Sequence, residues 1–196
     1  MIVVLGRPGL TADGRLARAA GRIAQAAAAA GTRVELVGSV GDDVAGEDVA
    51  LALGVAGVGH AALLRDPAGV TPRVDADGLE TGAPPARLDA SDIDLGLRYV
   101  PECRVLVVAD PLDEPALRVA AEAASYHGAS LILLVAPGES PEGLPEGTTV
   151  LELPGHDDGA FAALVGRYAA GLARGVAATD AWQEAVDAEG WERATE

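Results

Sequence analysis

The stretch Gly31-Thr32-Arg33-Val34-Glu35-Leu36-Val37-Gly38-Ser39-Val40-Gly41-Asp42-Asp43 decides the fold. Its part from Arg33 to Val37 is rich in β-branched and apolar residues and reads as a buried strand. Gly41-Asp42-Asp43 then has the chemistry of a tight turn, where glycine relieves backbone strain and aspartates bond nearby amides. The run Ala45 to Ala56 that follows reads as a helix. A strand leading through a turn into a helix is the first half of a parallel crossover.

Working outward, the same strand character recurs at Ile2 to Leu5, Arg104 to Ala109, Leu131 to Ala136 and the apolar run Thr149 to Leu153. Helical stretches lie between or after them at Gly14 to Ala30, Ser91 to Tyr99, Pro115 to His127, about Asp158 to Arg174 and Thr179 to Arg193. Continuous apolar strands separated by helices imply a mostly parallel sheet covered on both faces. The expectation is a three-layer α/β sandwich, formed as one domain over residues 1–196. The proline- and glycine-containing segment Asp66 to Asp89 interrupts the rhythm as a long loop or a hairpin beside the sheet, and Pro137 to Thr148 is a second turn-rich connection.

Composition narrows the possible partners. Thirty carboxylates against 14 basic residues set a formal charge of -16, which repels phosphate backbones and anionic headgroups, so neither nucleic acid nor a membrane surface is an expected partner. All the basic residues are arginine, and lysine and asparagine are absent, a bias that fits a GC-rich bacterial genome. Their absence removes Schiff-base lysine, P-loop lysine and asparagine contacts to magnesium. The lone Cys103 cannot form an intramolecular disulfide and reads as a small buried hydrophobe; with no basic segment at the N-terminus, a cytoplasmic location is expected.

Gly31 to Asp43, continuing through Val44-Ala45-Gly46-Glu47-Asp48-Val49, resembles the second strand, Gly-Asp-Asp turn and following helix of the ribokinase-type (PfkB) carbohydrate kinases. The resemblance continues through Gly57-Val58-Gly59-His60 and Arg65-Asp66-Pro67-Ala68-Gly69-Val70-Thr71, then through Ser91 to Asp94, Arg104 to Asp110 and Gly128 to Val135, covering roughly residues 30–150. It implies a ribokinase-like fold, ATP and Mg2+ as cofactors, a sugar or nucleoside substrate, and Asp42, Asp43 and Thr71 on the substrate side. Taken alone, Gly-Asp-Asp is equally an ordinary turn.

Several family features are altered. The diglycine and asparagine that contact sugar fall at Ala17-Arg18 and at Arg22. Only Gly6 to Asp13 remain for the family's β-lid, so the lid is expected to be largely missing. Pro154-Gly155-His156-Asp157-Asp158 stands where the resemblance implies Asn-x-x-Glu; an alternative register sets Asp158-Gly159-Ala160-Phe161 against Gly-Ala-Gly-Asp. On the second register Asp158 would be the base toward the hydroxyl, and the amides of Gly159, Ala160 and Phe161 the anion site. The bland reading, a helix cap with favourably placed acids, is commoner.

His60 and His127 lack partners at ligand spacing, and no metal site is expected; His156 with its two aspartates is a weak cluster. Gly6-Arg7-Pro8-Gly9 lacks the dinucleotide pattern, and neither Ser39 nor Ser125 sits in a nucleophile elbow. The expectation is a degenerate member serving as a metabolite-binding or interaction module; the alternative is an active kinase of sugars or nucleosides. A homodimer or protein partner would use another apolar surface, such as the alanine-rich first helix or the C-terminal helix with Trp182 and Trp191.

Overall fold

A computed structural model describes residues 1–75, 78–155 and 159–190. In chain order these form β1 (Ile2–Gly6), β2 (Gly9–Thr11), β3 (Leu16–Ala17), α1 (Arg18–Ala29), β4 (Val34–Gly41), α2 (Val44–Val55), β5 (Gly59–Asp66), β6 (Arg73–Val74) and β7 (Glu80–Thr81). Then follow α3 (Ala90–Leu97), β8 (Val105–Val108), α4 (Glu114–His127), β9 (Ser130–Val135), β10 (Thr149–Glu152), α5 (Ala160–Ala173) and α6 (Ala178–Glu189).

The main sheet is six-stranded in the order β10-β9-β8-β1-β4-β5, with every neighbouring pair parallel. Alternate residues of β1 enter different cores, as the two-residue period of a strand requires. Ile2 and Val4 join α1, α2, α5 and α6, while Val3 and Leu5 join α3 and α4. Both faces are therefore covered, which is why these strands are apolar without interruption. The expected three-layer, mostly parallel sandwich is the observed architecture.

Local chemistry sets the helix ends. Asp43 caps α2 by accepting from the Gly46 amide, and Asp89 and Asp92 form a capping box at α3. Asp113 caps α4, Pro115 lies in its first turn, and Gly128 ends it in the left-handed conformation. In the centre of the sheet Gly38 lies opposite Gly6, and a side chain at Gly38 would collide with the Gly6 carbonyl oxygen.

The N-terminal connection departs from expectation. Helix was expected from Gly14, but Leu16 and Ala17 pair antiparallel with β2, so α1 begins only at Arg18. β2 pairs in parallel with β6, and β6 in turn with β7, giving a second sheet in the order β3-β2-β6-β7. Residues 6–13 are too few for a lid by themselves, yet the interrupting segment 66–89 supplies the two further strands. Among the described residues the place expected to lack most of a lid holds a miniature four-stranded sheet of two- and three-residue strands.

The alanine-rich α1 is a core element. Ile23, Ala24 and Ala27 are buried, and Gly166 of α5 lies so close that a side chain there would meet Ala26 and Ala27. Trp182 packs against the same core and meets the Tyr168 ring edge-on at 5.3 Å. Trp191 lies outside the described residues. Among the described residues no helix is long and apolar enough to cross a membrane.

Cys103 is buried and its thiol donates to the Val105 carbonyl. Burial pushes the thiol up to about 11, so it is protonated at neutral pH. Ellman's reagent should label it at neutral pH only as the chain unfolds; rapid labelling of the native protein would contradict this packing. Gly38→Ala should lower stability in urea titration by about 2 kcal/mol, because β1 and β4 must part to admit the methyl.

Candidate functional site

In a doubly wound sheet, ligands bind outside the carboxyl ends of the strands, where the winding reverses. Here the chain passes from β1 outward to β4 and β5, then returns beside β1 with β8 and continues to β9 and β10. The switch point lies between β1 and β8. Arg7, just after β1, and Asp110, just after β8, meet at that place.

Asp110 is buried, and its Oδ2 accepts from the Arg7 amide at 2.7 Å and from Arg7 Nε at 3.2 Å. Its Oδ1 faces Arg18 Nη2 at 3.5 Å. Arg7 Nη2 also donates to the Pro111 carbonyl at 3.3 Å, fixing the guanidinium from both ends. Arg18 continues to the miniature sheet, where its Nε lies 3.4 Å from a carboxylate oxygen of Glu80 in β7. One carboxylate thus joins the ends of β1 and β8 to the first residue of α1, and Arg18 carries the connection to the second sheet.

Arg18 has φ +61°, the sole non-glycine residue with positive φ among those described. This left-handed conformation costs an L-residue roughly 1–2 kcal/mol and suits glycine. The resemblance implied glycines at Ala17-Arg18; the backbone shape that glycine would favour is present at Arg18, but the side chain is long and charged. Gly9 of β2 lies against its stem, and a methyl there would meet Arg18 Cδ at 3.3 Å. The Arg18 side chain therefore fills space between the two sheets.

Beside it opens a cleft of about 460 Å3, bordered by Arg18, Arg22, Asp75, Glu80, Asp110 and Gly155. A larger groove of about 780 Å3 follows α4 from Glu114 to Tyr126 and is closed by residues 142–145. The smaller cleft is the better candidate because it lies at the switch point and gathers ionic side chains from both sheets.

Asp43 and Thr71 are brought together at the β4–α2 turn. Asp43 Oδ2 accepts from the Thr71 amide at 2.9 Å and its Oδ1 from the Gly46 amide at 2.7 Å; Thr71 Oγ1 accepts from the Gly41 amide at 2.9 Å. These bonds clamp the turn to residues 69–71 and leave both side chains engaged with backbone. Asp42 is exposed and lies 3.8 Å from Arg65. None of the three borders the cleft.

Burial opposes ionisation of Asp43, but the Thr71 and Gly46 hydrogen bonds and the nearby Arg73 charge prevail and hold its carboxyl below the ordinary 3.8. A depressed carboxyl contributes stability that is present above its unfolded value and is lost as pH falls through the folded one. Asp43→Ala should therefore cost about 1 kcal/mol at pH 7, with the deficit narrowing below about pH 4 in thermal melts.

Gly159 caps α5 in the left-handed region at φ 110°, and Ala160 and Phe161 open the helix, with Phe161 buried. Asp158, with His156 and Asp157, lies outside the described residues. Among the described residues no group of three potential ligands could hold a metal. His60 Nδ1 lies 3.1 Å from the Val58 carbonyl, and Ser39 is buried.

No family model matches the sequence, and no curated protein matches it. Solved structures do. Ribokinase from Cryptococcus neoformans var. grubii serotype A, in complex with ADP, is 18% identical with a TM-score of 0.64, over 96% of this chain and 92% of that one. The PfkB protein from Polaromonas sp. JS666 gives 15% and 0.66 over 94% and 92%. An E. coli protein assigned as ribokinase II, solved with ATP and Mg2+, gives 14% and 0.68 over 94% and 89%. The fold is ribokinase-like. At these identities the likeness concerns architecture, and the chemistry rests on this chain's residues.

Sequence reading located Arg18 and Arg22 as departures from the family pattern but missed Arg7, Glu80 and Asp110 as their neighbours. The available signal for Asp110 was an acidic residue immediately after a buried strand in the middle of the chain. Removing its charge should strand two partly buried arginines: Asp110→Asn should lose about 2 kcal/mol by urea denaturation, less than a fully buried pair because both arginines retain some solvent.

Proposed function

We propose that this ribokinase-like chain is a non-catalytic relative, folded as one domain over residues 1–196, that binds a small metabolite in the switch-point cleft. The observation carrying this reading is Arg18. It stands at the place where the resemblance implies a sugar-contacting glycine, and its side chain reaches between the sheets to Glu80 and Asp110. A sugar placed against that backbone would meet a guanidinium in the space a glycine leaves open. The miniature sheet adds support, since strands of two or three residues offer little cover for excluding water during phosphoryl transfer.

The alternative is an ATP- and Mg2+-dependent kinase of a sugar or nucleoside, with Asp158 as base and the amides of Gly159, Ala160 and Phe161 as the anion site. Two observations favour it: α5 begins at a left-handed glycine, and structural neighbours were solved with ADP or with ATP and Mg2+. On this reading Asp42, Asp43 and Thr71 would lie on the substrate side. The hydrogen bonds that Asp43 and Thr71 make to the turn support a structural role for those two instead. We propose a cytoplasmic protein with no nucleic-acid or membrane partner, on the strength of its charge of -16. A homodimer or a protein partner is compatible with the same scaffold role.

The test is phosphoryl transfer from MgATP to ribose, fructose and adenosine, with MgATP binding followed by calorimetry. The expected result is no transfer by the wild-type protein and no change in Asp158→Asn. Magnesium-dependent transfer that disappears in Asp158→Asn would establish the kinase reading and overturn the non-catalytic one.

A further inference from the structure

Arg18 is an under-bonded cation. A guanidinium carries five N–H donors and bonds carboxylates best at about 2.7–2.9 Å. Its side chain is only 19% exposed, yet its ionic contacts among the described residues are 3.4 Å to Glu80 and 3.5 Å to Asp110. Its Nη1 is buried with no hydrogen-bond partner among the described residues. It is also held in a left-handed conformation that a glycine would adopt freely. Backbone strain at a poorly satisfied charge beside a cleft points from structure toward ligand binding.

The two carboxylates facing Arg18 differ. Asp110 is buried and fixed by the Arg7 amide and guanidinium, so it stays. Glu80 is 45% exposed and belongs to β7, the two-residue strand at the edge of the miniature sheet. Its link to Arg18 is long and solvated, and such pairs contribute little. Among the described residues the cleft is bordered by Arg18 and Arg22 and by Asp75, Glu80 and Asp110, with Arg7 paired to Asp110. Moving Glu80 away leaves Arg18 with only its 3.5 Å contact to Asp110 among the described residues.

Resting on the reading of this cleft as a metabolite site, we propose that it takes a small polyhydroxylated molecule bearing one carboxylate, which replaces Glu80 on Arg18. A planar carboxylate matches the guanidinium fork. A neutral sugar would leave the Arg18 charge as poorly satisfied as before, and a phosphate dianion would meet Asp75 and Asp110 with an excess negative charge. The cleft volume suits a ligand of this size. Glu80 is then an internal competitor that occupies the site weakly when the ligand is away.

Calorimetric titration with gluconate, ribose and ribose 5-phosphate, on the wild-type protein and on Arg18→Gly and Glu80→Gln, tests this directly. Arg18→Gly relieves the left-handed strain while giving up the side chain's packing between the sheets, and circular dichroism checks that both variants fold. Gluconate should bind best; Arg18→Gly should weaken it about tenfold or more, and Glu80→Gln should tighten it about threefold by removing the competitor. Ribose binding as tightly as gluconate, ribose 5-phosphate binding more tightly, or Glu80→Gln failing to tighten gluconate would each overturn the carboxylate proposal. Those outcomes leave the metabolite-binding reading in place. Failure of all three compounds to bind the folded wild-type protein would overturn both.

Discussion

The Asp110 carboxylate is the contact on which the candidate site depends. A buried carboxylate is costly unless it is paired and hydrogen-bonded. Asp110 meets that condition through Arg7 and Arg18, which come from the end of β1 and the start of α1. Because β1 and β8 are neighbours, a residue following each strand necessarily lies near the other. The sheet order thus places Arg7 on Asp110, and Asp110 in turn faces Arg18 where α1 leaves the miniature sheet.

That arrangement explains how so acidic a chain can concentrate arginines in one place. Most of the surface carries excess negative charge, but at the switch point arginines and carboxylates alternate across two sheets. The result is a polar cleft in which charges of both signs meet, unlike the broad positive field that would attract nucleic acid. The same meeting of charges distinguishes the site from an open sugar pocket. Where glycine would give a ligand close access to backbone, Arg18 brings a side chain that must itself be satisfied.

Much of the main sheet was legible because strands covered on both faces must be apolar throughout. Ile2 to Leu5, Arg104 to Ala109 and Leu131 to Ala136 could be recognised to within a residue or two, as could α4, whose ends carry Asp113 and Gly128. The start of α1 was not. Leu16 and Ala17 have ordinary helical character, and they become a strand only because Gly9 and Leu10 are available to pair with them. The miniature sheet was hidden for a related reason: β2 and β6 are separated by the whole of α1, β4, α2 and β5. Pairing across that distance leaves no local period in either segment.

The sequence by itself determined the layered α/β architecture and the absence of lysine and asparagine chemistry. Those follow from apolar periodicity and from composition. Only the tertiary structure decided that Asp43 and Thr71 engage each other's turn, that Arg18 adopts a left-handed backbone, and that Arg7, Glu80 and Asp110 surround it. The reason is geometric. A side chain's partners across the sheet are set by strand order and register, and these place residues some hundred positions apart within hydrogen-bonding distance.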